Sequence, residues 1–207
     1  MRRCCFSSFR CVLRGRFPGP LAMAILVAGF VIATPSRQLA HDVPGDVTVQ
    51  AFVAPEGEQL RLLVRVPLEA MRDFVFPQRG PGYLDLDSAD SMLRDAIMVW
   101  VGDELQLYEA DRLLTDQQLR GVRVSLPSDR SFASYDQALA HVTGQPLPTD
   151  TEIVWQQAML DALFEYPIES DESRFSVNPT LGRLGIRTIT VLRFVLPDGT
   201  VRAFEYS

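Results

Sequence analysis

Between residues 46 and 66 apolar positions recur at every second residue, twice over. Val47, Val49, Ala51 and Val53 alternate with Thr48, Gln50 and Phe52, and Leu60, Leu62, Val64 and Val66 alternate with residues that include Arg61 and Arg65. A period of two sends the two sets to opposite faces of an extended chain. The runs therefore predict a β-hairpin closed by the four-residue connection Pro55-Glu56-Gly57-Glu58. Residues 188–196 and 201–206 predict a second hairpin around Pro197-Asp198-Gly199. Residues 105–108 and 122–126 predict short strands. The period changes after Ser88, where Met92, Leu93, Ala96, Ile97 and Trp100 recur at intervals of three and four and predict a helix, capped by Ser88 and ending near Gly102. Residues 134–142 predict a second short helix, stopped by Gly144 and Pro146. Residues 152–168 suit a helix by propensity, but alternation from Ala158 to Ile168 favours a strand for the second half. Strands at both ends with helical insertions between them predict a mainly β domain. The expected form is an antiparallel β-sandwich whose first and last hairpins supply most of the core.

Residues 1–40 follow a different pattern, holding all three cysteines, six arginines and no acid. Arg2, Arg3, Arg10, Arg14 and Arg16 precede an apolar run over residues 21–33, and Gln38-Leu39-Ala40 offers a small residue for cleavage, as in a secretory signal. The run is closed by Pro20 and by Thr34-Pro35, short of the roughly 20 apolar residues a membrane-spanning helix needs. Val31-Ile32-Ala33 offers a second cleavage point. The expectation is a signal peptide over residues 1–40 and one periplasmic β-rich domain over residues 41–207. Removing six arginines from the 20 basic residues leaves 14 against 26 acids, a formal charge of −12 for the exported part. That charge disfavours nucleic acid and anionic lipid as partners. All the basic residues are arginine. With Cys4, Cys5 and Cys11 in the leader, the exported part folds without disulfides, which suits a bacterial periplasm.

Candidate chemistry is sparse, because the chain has two histidines, His41 and His141. Cleavage after Ala40 would make His41 the N-terminus. Its α-amine and imidazole, joined by His141, would give three nitrogens for one Cu(II) or Ni(II) ion. The plainer reading makes His41 a solvated leader and His141 a helix-surface residue. Asp85, Asp87 and Asp90 lack the central glycine and distal glutamate of a calcium loop, so they read as acids at a helix start. No Gly-x-Ser-x-Gly elbow occurs, and His141 with Ser134 or Asp136 on one short helix does not converge on a substrate atom. No catalytic residue is assigned, no small-molecule substrate is identified, and the chain reads as a non-enzyme. Trp100, Trp155, Tyr83, Tyr108, Tyr135 and Tyr166 read mainly as core. The Pro- and Gly-rich loop over residues 72–83 carries Phe74, Phe76, Arg79 and Tyr83, candidates for binding a partner.

Several segments resemble a known family. His41-Asp42-Val43-Pro44, the 47–66 hairpin running into Pro67-Leu68-Glu69-Ala70-Met71-Arg72-Asp73, and Arg79-Gly80-Pro81-Gly82-Tyr83-Leu84 are similar to the exported N-terminal part of HupE/UreJ-like membrane proteins. Phe164-Glu165-Tyr166-Pro167-Ile168, Leu184-Gly185-Ile186-Arg187 and Val191-Leu192-Arg193-Phe194 resemble the rest of that exterior region. The resemblance implies a domain at the periplasmic face of the inner membrane, beside a transporter-like protein or domain and accessory to nickel or other metal supply. In that family the presumed metal-handling His and Asp residues lie in transmembrane helices that this sequence lacks, so the resemblance assigns no metal ligand here.

Overall fold

The computed structural model describes residues 45–207, which belong to one compact unit, His41–Ser207. As the alternation predicts, the domain is mainly β with helical insertions. Its centre is a sheet built from β1 (Asp46–Glu56), β2 (Gln59–Pro67), β7 (Gln118–Ser125), β8 (Met159–Pro167), β10 (Arg187–Val195) and β11 (Val201–Tyr206), in the order β11-β10-β1-β2-β8-β7. Its neighbouring strands pair antiparallel except for β1 and β10, which run parallel. Two small sheets accompany it. One joins β3 (Gln78–Arg79) to β4 (Tyr83–Leu84), and the other orders β6 (Arg112–Leu113), β5 (Leu105–Glu109) and β9 (Phe175–Pro179) as β6-β5-β9.

The first hairpin is tighter than its composition suggests. Pro55 pairs with Leu60 and Glu56 with Gln59, so the connection shrinks to Gly57-Glu58. Gly57 takes φ 61°, which glycine adopts without a β-carbon clash and which a primed hairpin turn requires.

Both faces of the central strands are covered. Val47, Val49, Leu62, Val64 and Phe164 belong to a large core that also takes in α1 (Asp90–Ile97) and Leu107 of β5. The opposite face carries a smaller core in which Phe52, Leu63 and Leu163 meet Phe132, Ala138 and Val142. The last two lie on α2 (Tyr135–Thr143), where Ser134 is the N-cap and accepts from the Gln137 amide. Tyr135 pins the same helix by donating to Glu56 at 2.6 Å. Burial and that carboxylate push the Tyr135 phenol up to about 12.

Two local expectations change. Ser88 does not cap α1, because its hydroxyl donates to Asp85 Oδ2 at 2.6 Å and Ala89 occupies the cap position. The Asp85 carboxylate also accepts from the Asp87 amide at 3.3 Å, which explains part of the aspartate cluster as turn chemistry. The last hairpin does not share the core equally with the first. β10 buries only Thr190 and Leu192, and every residue of β11 is exposed. The core comes instead from β1, β2 and β8, because these strands lie inside the sheet while β11 lies at its edge. Among the described residues no helix is long and apolar enough to cross a membrane.

Candidate functional site

Under α2 the sheet carries polar side chains where its neighbours carry aliphatic ones. Arg65 of β2 stands directly opposite Asp161 of β8, and both are buried, at 3% and 0% exposure. The guanidinium grips the carboxylate as a fork, Nε to Oδ1 and Nη2 to Oδ2, each at 2.6 Å. Nη2 also faces Asp129 Oδ1 at 2.8 Å, Ser131 Oγ at 3.0 Å and Ser125 Oγ at 3.1 Å, and Nη1 donates to the Asp129 carbonyl at 3.1 Å. The Phe132 ring closes the remaining side, with the guanidinium carbon 4.4 Å from its centroid. One side chain thus connects β2, β8, the end of β7 and the segment that leads into α2.

The electrostatics follow from this geometry. Burial lowers the proton affinity of Arg65, but the hydrogen bonds and charges of Asp161 and Asp129 raise it further, so its pKa lies above the ordinary value. Burial also acts against ionised Asp129, yet donation from Ser131 and Arg65 holds its carboxyl down at about 2.

His141 enters from α2, half-buried, with Nε2 2.8 Å from Ser125 Oγ and 3.1 Å from Asp161 Oδ2. Serine, histidine and aspartate meet here without forming a nucleophilic triad. A triad needs the imidazole between the other two, taking the serine proton at one nitrogen and holding the carboxylate with the other. Here both partners share Nε2, and the Ser125 hydroxyl donates to Asp161 itself. Ser125 is also 1% exposed, beyond the reach of a substrate. Both Asp161 oxygens are taken by the Arg65 guanidinium, and Asp161 Oδ2 also stands 3.1 Å from His141 Nε2. Among the described residues no three His, Cys, Asp or Glu side chains group as a metal site. His41, the other proposed ligand, lies outside the described residues.

Beside the cluster opens a cavity of about 250 Å3, lined by Gln50, Arg65, Asp129, Arg130, Phe132 and Arg193 among others. Arg65 is neutralised by its aspartates. Arg130 and Arg193 have no carboxylate partner among the described residues. Arg193 lies with its guanidinium carbon 5.2 Å from the Phe52 ring centroid, and its Nη1 is buried with no hydrogen-bond partner among these residues. A buried donor left unmade costs about 1–3 kcal/mol, more when charged. The cavity is therefore a cationic recess on an acidic chain.

The loop candidates lie elsewhere. Phe76 is buried at 3% exposure, its ring 5.9 Å from Trp155 and 6.2 Å from Phe74, so it is taken up by the domain's own core. Arg79 donates to the Thr151 carbonyl at 2.8 Å, and Tyr83 bridges to Val154. Val75 is the apolar loop residue turned to solvent, at 77% exposure. Of the residues singled out by sequence only His141 reaches the buried cluster, while Arg65, Ser125, Asp129 and Asp161 went unmarked.

The chain was compared with family models and with curated proteins. No family model matches it, and no curated protein does.

Two predictions follow from the cluster. Arg65→Met strands Asp161 in the interior and should cost about 3–5 kcal/mol in urea unfolding, as should Asp161→Leu; the double variant should recover most of that loss. A double variant as unstable as the two losses combined would show that the pair is not energetically coupled. Asp129, with a folded pKa near 2 against about 3.9 unfolded, contributes stability that is fully present above about pH 4 and is lost as pH falls toward 2. Asp129→Asn should flatten the stability profile over that window, and an unchanged slope would place the acid sensitivity in other groups.

Proposed function

We propose that this chain is an exported, non-enzymatic exterior domain, similar to that of HupE/UreJ-like proteins, that acts beside an inner-membrane partner by binding an acidic group in the arginine-lined cavity. The observation that carries the reading is the recess lined by Arg130 and Arg193, neither of which has a carboxylate partner among the described residues. A planar guanidinium matches the two oxygens of a carboxylate. The cavity volume of about 250 Å3 suits a small acidic group or the end of one side chain. The accessory role in nickel handling that the resemblance implies is assigned to the partner, because the resemblance places its metal-handling residues in transmembrane helices.

Export has its own support in residues 1–40, with arginines before the apolar run and a small residue at position 40. Protein recovered from a bacterial periplasm should begin at His41 by N-terminal sequencing. A chain retained in the cytoplasm and still starting at Met1 would remove that part of the reading. For the cavity, millimolar acetate and succinate should raise the thermal midpoint at constant ionic strength, and Arg193→Gln should abolish the shift. Equal shifts in both proteins, or none in either, would overturn the anion site.

A further inference from the structure

The six-stranded sheet ends in two unlike edges. At β7 the pairing register slips between Leu119 and Gly121, with Arg120 at the irregularity, and Arg123 turns to the Gly144 carbonyl. A bulge and charged side chains are the usual means of stopping an edge strand from recruiting another chain. β11 has neither a bulge nor a proline. It pairs regularly with β10 from Val201 to Tyr206, and its apolar residues stay open, Val201 at 50% exposure, Phe204 at 47% and Tyr206 at 38%.

The hairpin geometry shows which backbone groups are free. The Leu196 amide donates to the Thr200 carbonyl, and Gly199, at φ 81°, completes the turn. Alternation from that bond directs the amides and carbonyls of Arg202, Phe204 and Tyr206 toward β10, and those of Val201, Ala203 and Glu205 outward. Of the registers that set an antiparallel copy of β11 on this row about a two-fold axis, the one centred on Arg202 opposes that charge to itself, which leaves two. Centred on Ala203, it opposes Val201 to the charged Glu205. Centred on Phe204, it opposes Phe204 to itself and Arg202 to Tyr206 on one face, and Ala203 to Glu205 on the other. The second register gives an aromatic pair flanked by two guanidinium–aromatic contacts, with no like charges opposed.

We propose that β11 pairs with β11 of a second copy of this chain, antiparallel and centred on Phe204, so that the two six-stranded sheets join into one. Contacts confined to one strand pair lie at the small end of interface sizes, so the dimer forms and dissociates with concentration. The paired edge shares no residue with the arginine-lined cavity, whose lining residue nearest to it in the sheet order is Arg193 of β10.

The test uses the full chain with Cys4, Cys5 and Cys11 replaced by serine. Residues facing each other in a non-hydrogen-bonded pair bring their β-carbons to roughly 4.5–5.5 Å, close enough for a disulfide after a small adjustment. Phe204→Cys should therefore form a disulfide-linked dimer on mild oxidation. Val201→Cys should not, because the axis at Phe204 places the two copies of position 201 six residues apart. Sedimentation velocity on the chain with native Phe204 should show a dimer that grows with concentration, and Phe204→Arg should remain monomeric. A monomer at every concentration, a dimer unaffected by Phe204→Arg, or cross-linking at position 201 as readily as at 204 would each overturn the proposal.

Discussion

The buried fork between Arg65 and Asp161 is the constraint around which this domain is arranged. A charge placed under a helix and shielded by Phe132 must find its partners there or destabilise the fold, because desolvating an unpaired ion costs several kcal/mol. Arginine meets the demand where lysine would not. Its planar group offers five N–H donors, and here they reach Asp161 on the adjacent strand, Ser125 at the end of β7, and both Asp129 and Ser131 beyond it. The path from β7 into α2 is thereby held against β2 and β8. A buried pair of this kind adds little net stability compared with a well-packed aliphatic substitute, so its main effect is on register. Slipping β2 by one residue against β8 would turn Arg65 into the aliphatic core, at a cost large enough to exclude the alternative pairing.

Much of the fold was legible in the alternation, and what escaped it has a physical reason. The 47–66 hairpin, the strand in the second half of residues 152–168, both helices and the C-terminal hairpin all appear in the structure. A period of two, however, identifies two faces without saying what covers each. The polar-looking face of β2 was read from Arg61 and Arg65, and Leu63 between them drew no inference. In the structure Leu63 stands opposite both Phe52 and Leu163, a row of three apolar residues across a face otherwise marked by charge. That row was the sequence-level sign that a helix covers this face too. The buried cluster was less accessible, since Arg65, Ser125, Asp129 and Asp161 come from separate segments and only strand pairing brings them together. His141 was singled out to join an N-terminal His41 at one metal ion, and its contacts with Ser125 and Asp161 depend on a packing of α2 on the sheet that its own segment does not reveal.

The same distinction between pattern and position applies to β11. Its good turn chemistry and alternation resemble those of the first hairpin, which is why both were expected to build the core. Strand order decides otherwise. β1 and β2 have neighbours on both sides and layers on both faces, whereas among the described residues β11 pairs with β10 alone and has no buried residue. Local sequence specifies that such a segment is a strand, and only the long-range pairing of β10 with β1 sets it at the rim.

β10 is where the two proposed contacts of this domain meet. On one face it supplies Arg193 to the cavity, where Phe52 of β1 packs against the guanidinium, and at its outer side it carries the whole of β11. Its parallel pairing with β1 is one of the largest attachments of the C-terminal hairpin to the domain, since few of the hairpin's side chains are buried. Order at the edge and order at the cavity therefore depend on one strand. An anion that fixes Arg193 and a second strand that pairs with β11 would each restrict the same β10 backbone, so each would lower the entropy that the other must remove.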